Sequence, residues 1–190
     1  MENYQVENIL WNGVETDTAL FNKWKRLLEE GDYNIKISQS GQKIKSGDFV
    51  IDVLYPFEEI KEYSFKDLNF SSIILRVSYK NDSFLFMGDA DQSIEQELIE
   101  MDNFCENERQ EIKCQGIILD SDVLKVGHHG SKTSTSEDFL KKVSPSIAVI
   151  SVGEDNKYGH PHSETLEVLG KYDIRIARTD RDGDIEITVE

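Results

Sequence analysis

The run "SIAVISVG", residues 146–153, constrains the fold more than any other stretch of the chain. It is almost wholly apolar, so a strand built from it is expected to be buried on both faces. Helical stretches flank it on either side. "SEDFLKKV" precedes it, with Ser136 as its N-cap and Glu137 in the first turn, and "HSETLEVLGKY" follows. "SDVLKVG" and "SFLFMGD" are further apolar runs that end in glycine and a polar residue, and "DADQSIEQELIEM" carries Ile94, Leu98 and Met101 on one helical face. Strands and helices therefore alternate in the second half, which predicts a mixed α/β (α+β) fold with helices packed over sheets.

The first half is more varied. "VENILWNG" is predicted as a strand ending in a turn. "TDTALFNKWKRLLEEGD" spaces Leu20, Phe21, Trp24, Leu27 and Leu28 as a helix, capped by Thr16 or Asp17 and ended by Gly31. "YNIKIS" alternates as a strand, and "SGQKIKSGDFVIDVLYP" as two strands joined at Ser46-Gly47-Asp48. The charged stretch from Glu58 to Asp67 is expected to be a loop. "SSIILRVSY" and "SFLFMGD" form a hairpin through Lys80-Asn81-Asp82, and "IRIARTDRDGDIEITVE" is predicted to close the chain as a hairpin around Asp182-Gly183.

Composition narrows the function classes. A net charge of −16 gives no support to a basic nucleic-acid-binding face, although metal ions can neutralise an acidic site locally. No run is long and apolar enough to span a bilayer, and no signal peptide is visible at the start, so a cytoplasmic location is expected for this chain. Cys105 and Cys114, the two cysteines, suit either a local disulfide or two free thiols; no companion pair turns them into a zinc site.

Three polar clusters stand where apolar strands end. "FLFMGDAD" brings Asp89, "VLKVGHHGS" brings His128 and His129, and "AVISVGEDNKYGHPH" brings Asn156, His160 and His162. Strand ends facing one way are where sheet proteins assemble sites. Alone, Asp89 is a turn residue, the histidine pair a polar loop and Gly159-His160-Pro161 a turn. Together, carboxylate and imidazole suit zinc, manganese or iron.

"NFSSIILRVSYKNDSFLFMGDAD", "DVLKVGHHGSKTSTSEDFLKKVSPSIAVIS", "NKYGHP" and "RTDRDGDIEI" closely resemble the metallo-β-lactamase-like domain of the ComEC competence family. The resemblance runs from about Val6 to the C-terminus. It implies an αββα sandwich, of which this chain holds mainly the second half, and a hydrolase of phosphoester bonds or nucleic acid in DNA uptake. It also implies two divalent metal ions, zinc or manganese, in the complete domain. Asp89 matches the metal-bridging aspartate, and His128 or His129 the last histidine ligand; adjacent strand residues face opposite ways, so one ligand and one neighbour are expected. Catalytic roles fall to Asp89 and to His160, as proton donor or substrate contact. Asn69, Ser131 and Asn156 are expected to touch substrate or support the metal.

The superfamily's main metal motif, H-x-[HD]-x-D-H, is absent from the chain. Residues 1–190 are therefore expected to form a single, N-terminally truncated domain: a shortened gene product, an excised segment, or one member of a pair whose partner supplies the rest. Partial or no metal occupancy follows, as does self-association into a homo-oligomer through an exposed sheet face. The alternative function is a catalytically inactive remnant, or a binding module, that keeps only the second half of the fold.

Overall fold

The computed structural model of the protein describes residues 4–107 and 117–189. A small N-terminal unit comes first. Strand β1 (Asn8–Trp11) leads into helix α1 (Ala19–Glu30) and then β2 (Asn34–Ile37), which pairs parallel to β1. Thr18 caps α1 by accepting from the Phe21 N–H, one residue beyond the predicted caps, and Gly31 ends it. Trp11, Phe21 and Trp24 pack ring to ring, which holds the helix on its strand pair.

Seven strands make the main sheet, in the order β3-β4-β5-β6-β7-β8-β9. Strands β3 (Lys43–Ser46), β4 (Phe49–Tyr55), β5 (Ile74–Tyr79) and β6 (Asp82–Phe86) pair antiparallel; tight turns join β3 to β4 and β5 to β6, while the longer segment 56–73 connects β4 to β5. From β6 onward the sheet is parallel, through β7 (Val123–Lys125), β8 (Ile147–Ile150) and β9 (Arg175–Arg178). Parallel neighbours need crossovers. These are α2 (Gln92–Asn107), α3 (Glu137–Val143) and α4 (Ser163–Lys171).

The register sorts side chains between the two faces. Leu85, Leu124, Ala148 and Ile176 stand abreast across four strands and pack with Ile94, Leu98, Phe139, Leu140 and Leu169 of the three helices. Their neighbours Phe84, Phe86, Val123, Lys125 and Val149 point the other way. That second face is only partly covered, and Phe86 remains 41% exposed. The predicted burial of residues 146–153 on both sides is therefore corrected. Ala148 and Ile150 are fully buried, whereas Ile147 and Val149 are half-buried, because helices cover one face alone.

The predicted closing hairpin does not form. Strand β9 runs parallel to β8 and turns directly into a short helix, α5 (Thr179–Asp182), where Asp182 accepts from the Arg178 N–H and Asp180 binds the Arg178 guanidinium. These local bonds compete with strand pairing at Asp182-Gly183. Beyond them, Ile185 and Ile187 lie over the open face and share a cavity of 220 Å3 with Phe84, Phe86 and Val149. Cys105 is disulfide-bonded, while Cys114 lies outside the described residues.

A sheet layered with helices is the mixed α/β fold expected of a metallo-β-lactamase-like chain. Among the described residues no helix is long and apolar enough to cross a membrane.

Candidate active site

Three strand exits converge at one edge of the parallel sheet. Gly88, with φ +57, turns the chain out of β6, and the Asp89 N–H then donates to the Ser72 hydroxyl at 3.1 Å. The exit of β7 is sewn to it, since the His128 N–H donates to the Gly88 carbonyl at 3.1 Å. The exit of β8 closes the third side. There the Asn156 amide accepts from the His160 N–H at 2.9 Å and donates to the carbonyls of His160 and Gly153 at 2.7 and 3.0 Å.

The histidine pair does not continue its strand. Residues Gly127–Gly130 form a 3-10 turn in which His128 (φ 45, ψ 42) and His129 (φ 55, ψ 25) are both left-handed. The expectation of opposite facing is therefore corrected, because strand alternation does not apply to this turn. Both rings enter one cleft, with centroids 5.5 and 6.5 Å from that of His160. Non-glycine residues adopt this backbone conformation at a cost of about 1–3 kcal/mol each, so the surrounding bonds must enforce it.

Those bonds come from the hydroxyl-rich segment that follows. The Ser134 hydroxyl donates to the Gly127 carbonyl at 2.9 Å, and Ser136 caps α3. The Ser131 hydroxyl is buried and bonded to that of Thr133 at 3.0 Å, so it braces the loop. Buried Glu95 on α2 accepts from the Thr135 and Ser136 N–H groups and anchors the segment from below. Across the cleft the His162 N–H donates to the Gly130 carbonyl at 2.9 Å, and His162 Nδ1 accepts from the Lys132 N–H at 3.1 Å.

The two neighbouring histidines have different surroundings. His129 Nε2 lies 3.5 Å from Asp89 Oδ1, and its Nδ1 lies 2.6 Å from the Ser151 carbonyl. A carbonyl only accepts, so Nδ1 carries the proton and, in a neutral ring, Nε2 presents a lone pair to the carboxylate. Two acceptors facing each other require a proton or a cation between them. One ion held tetrahedrally by bonds near 2 Å would set its donors roughly 3.3 Å apart, close to the separation seen. His128 instead directs Nε2 towards the Asn69 amide at 3.5 Å, the long limit of a hydrogen bond, while its buried Nδ1 has no partner among the described residues. The carbonyl of Ser71, two residues from Asn69, accepts from the Asn12 side chain at 2.6 Å, which ties the N-terminal unit to the cleft.

His160 sits among these rings and also lies 4.8 Å, centroid to centroid, from His162. Burial first, then the neighbouring imidazoles of His162, His128 and His129, hold it below the ordinary histidine value. These surroundings favour its neutral form, which suits accepting a proton better than donating one as a cation. Tyr158, 79% exposed, stacks on its outer side at 5.8 Å.

The fit to a metal is partial. Asp89 and His129 can hold one ion jointly, with the Ser151 carbonyl orienting the imidazole as supporting groups at metal sites do. Among the described residues, however, no group of three or more histidine, cysteine, aspartate and glutamate side chains converges as a metal site. Catalytic zinc generally takes about three protein donors. The described residues thus offer two corners of such a site and do not complete it.

Sequence reasoning missed Glu95, Ser151 and Lys132. Ser151 and Lys132 act through the backbone, which side-chain chemistry does not advertise, and Glu95 lies some forty residues from the loop it anchors.

The chain is 40% identical over 118 residues to ComE operon protein 3 of Bacillus subtilis, covering 62% of this chain and 13% of that protein. It is 33% identical over 123 residues to Recombination protein 2 of Haemophilus influenzae, covering 65% and 15%. It is 36% identical over 120 residues to Competence protein ComA of Neisseria gonorrhoeae, covering 63% and 16%. The match thus spans only about a sixth or less of each of these relatives. A family model described as the metallo-beta-lactamase superfamily matches residues 14–154, well over half the chain. The protein belongs to the metallo-beta-lactamase superfamily.

Proposed function

We propose that this chain carries the Asp89–His129 portion of a metal-dependent phosphoester hydrolase acting on nucleic acid, with the remaining metal donors lying outside the described residues. The observation that carries the reading is the facing of Asp89 Oδ1 and His129 Nε2 at 3.5 Å, with the His129 Nδ1 proton already given to Ser151. Superfamily membership and the competence and recombination names of the relatives are what favour nucleic acid as the substrate class in this reading. In a complete site, zinc or manganese would polarise a phosphoryl oxygen and provide hydroxide near neutral pH.

The chain's own residues have definable tasks in this reading. Asp89 and His129 bind the ion. Asn69 and Asn156 orient the walls, the first through His128 and the second through the backbone of His160. Neutral His160 accepts or relays a proton at its ring nitrogen.

Equilibrium dialysis of the 190-residue chain against zinc and manganese, followed by metal analysis, tests the reading. Weak uptake, lowered at least tenfold by Asp89→Ala and by His129→Ala, is expected. Hydrolysis of bis-(p-nitrophenyl) phosphate or single-stranded DNA by this chain alone is expected to be slight, because two donors hold an ion poorly. Unchanged metal uptake in both variants would leave Asp89 as a turn residue and end the proposal. In that case the binding-module alternative stands. We further propose that the open sheet face, with Phe86 and Phe49 exposed, supports self-association.

A further inference from the structure

A second cavity, of 570 Å3, lies outside the histidine cleft, between the exit of β4 and helix α2. Small-molecule sites commonly occupy about 300–1,000 Å3. Neither Asp89 nor any histidine lines it. Its walls carry four aromatic rings in two pairs. Tyr55 and Phe57 meet edge to face at 5.3 Å, and Tyr63 and Phe65 stack at 6.1 Å. Its charged lining is Glu58 and Glu97, with no lysine or arginine. Glu58 accepts from the Tyr63 hydroxyl at 2.7 Å, which joins a carboxylate to the second ring pair. Burial, then the nearby carboxylates of Glu100 and Asp91, raise Glu97 above its ordinary value, so its anionic form lacks compensation.

Aromatic rings and carboxylates with no cation beside them in the lining share one complement. Ring quadrupoles attract cations over their faces, a carboxylate supplies the counter-charge, and apolar walls reject strongly hydrated metal ions in favour of alkylated ones. We propose that this cavity is a binding site for a small organic cation of the alkylammonium class, held by Tyr55, Phe57, Tyr63 and Phe65 with Glu58 and Glu97. The site is independent of the metal-dependent reading of the histidine cleft. It is also physically joined to that cleft, since the Tyr55 hydroxyl donates to the Phe70 carbonyl at 3.4 Å, one residue from Asn69.

The experiment pairs choline with its neutral carbon isostere, 3,3-dimethylbutan-1-ol. Each is titrated into the 190-residue chain, with calorimetry and amide chemical shifts as detectors. Choline is expected to bind saturably and at least tenfold more tightly than the isostere, with shifts centred on residues 55–65 and 97. Glu97→Gln is expected to weaken choline at least fivefold and leave the isostere unaffected. Phe65→Leu, on a surface loop, is expected to weaken choline while thermal unfolding stays unchanged, and it serves if the Glu97 variant does not fold. Equal affinity for both compounds would reduce the site to an apolar hollow and overturn the proposal. So would the absence of saturable choline binding, or choline binding indifferent to both substitutions.

Discussion

His128 and His129 show how much a single backbone state decides. With positive φ at both, the two imidazoles share one cleft yet take different partners, Asn69 for the first and Asp89 with Ser151 for the second. The state persists because the segment that follows is held by its own bonds, and buried Glu95 makes two of them. Burial raises the Glu95 carboxyl above 4.5, against the lowering effect of the Ser136 and Thr135 N–H donors. A raised folded value means that the native chain holds the proton more firmly than the unfolded chain, so this group's contribution falls as pH rises from about 4.5 upward. In Glu95→Gln one of the two N–H donors meets an amide NH2 instead of an acceptor. Denaturant unfolding is expected to show a loss of about 1–3 kcal/mol on the acid side, the usual cost of an unsatisfied buried donor, shrinking as pH rises. A loss that grows with pH would show that the N–H donors outweigh burial.

Among the elements, the strand exits matter most, and Gly127 is where two of them meet backbone to backbone. A Cβ there would stand 2.7 Å from the Ala90 carbonyl oxygen, and its φ is not positive, so the objection is to volume and not to backbone conformation. Backbone cannot swing aside as a long side chain can. Gly127→Ala is therefore expected to destabilise by about 1–3 kcal/mol, the range for overpacking, and to separate the Asp89 and His129 exits. Thermal unfolding measures the first effect. The second should appear as metal uptake reduced as far as in Asp89→Ala. A variant of native stability and metal uptake would show that the two loops are not in contact. The helices are plainer: Thr18 and Ser136 each accept from the N–H three residues on, and each helix buries one apolar stripe.

For the whole molecule, the uneven cover of the sheet is the governing feature. Helices α2, α3 and α4 bury one face, while the other has the Ile185 and Ile187 segment over part of it and leaves Phe49, Phe86 and Ile44 between 39% and 47% exposed. Apolar surface of this kind drives association, whereas the charge of −16 opposes it through like-charge repulsion. Added salt screens the repulsion more than the apolar attraction. Sedimentation is expected to show self-association that increases between low and moderate salt and is abolished by Phe86→Lys. A monomer at every salt concentration would mean that the open face has no affinity for itself.

The sequence by itself determined the order of strands and helices as far as β9, the caps at Gly31 and Ser136, the mixed α/β class and the family, because periodicity and capping act over a few residues and short strings carry the resemblance. It also singled out Asp89, His128, His129, His160, Asn69 and Asn156, which the structure brings to one sheet edge. Only the tertiary structure decided that both histidines enter the same cleft, since their left-handed turn is enforced by residues from α2 and from the loop before α4. It likewise decided that Ser131 braces the loop, that Arg178, Asp180 and Asp182 replace a hairpin with a helical turn, and that residues 146–153 are covered on one side. In each case the deciding contact joins groups whose energies depend on burial and distance across the fold, quantities that local spacing along the chain does not encode.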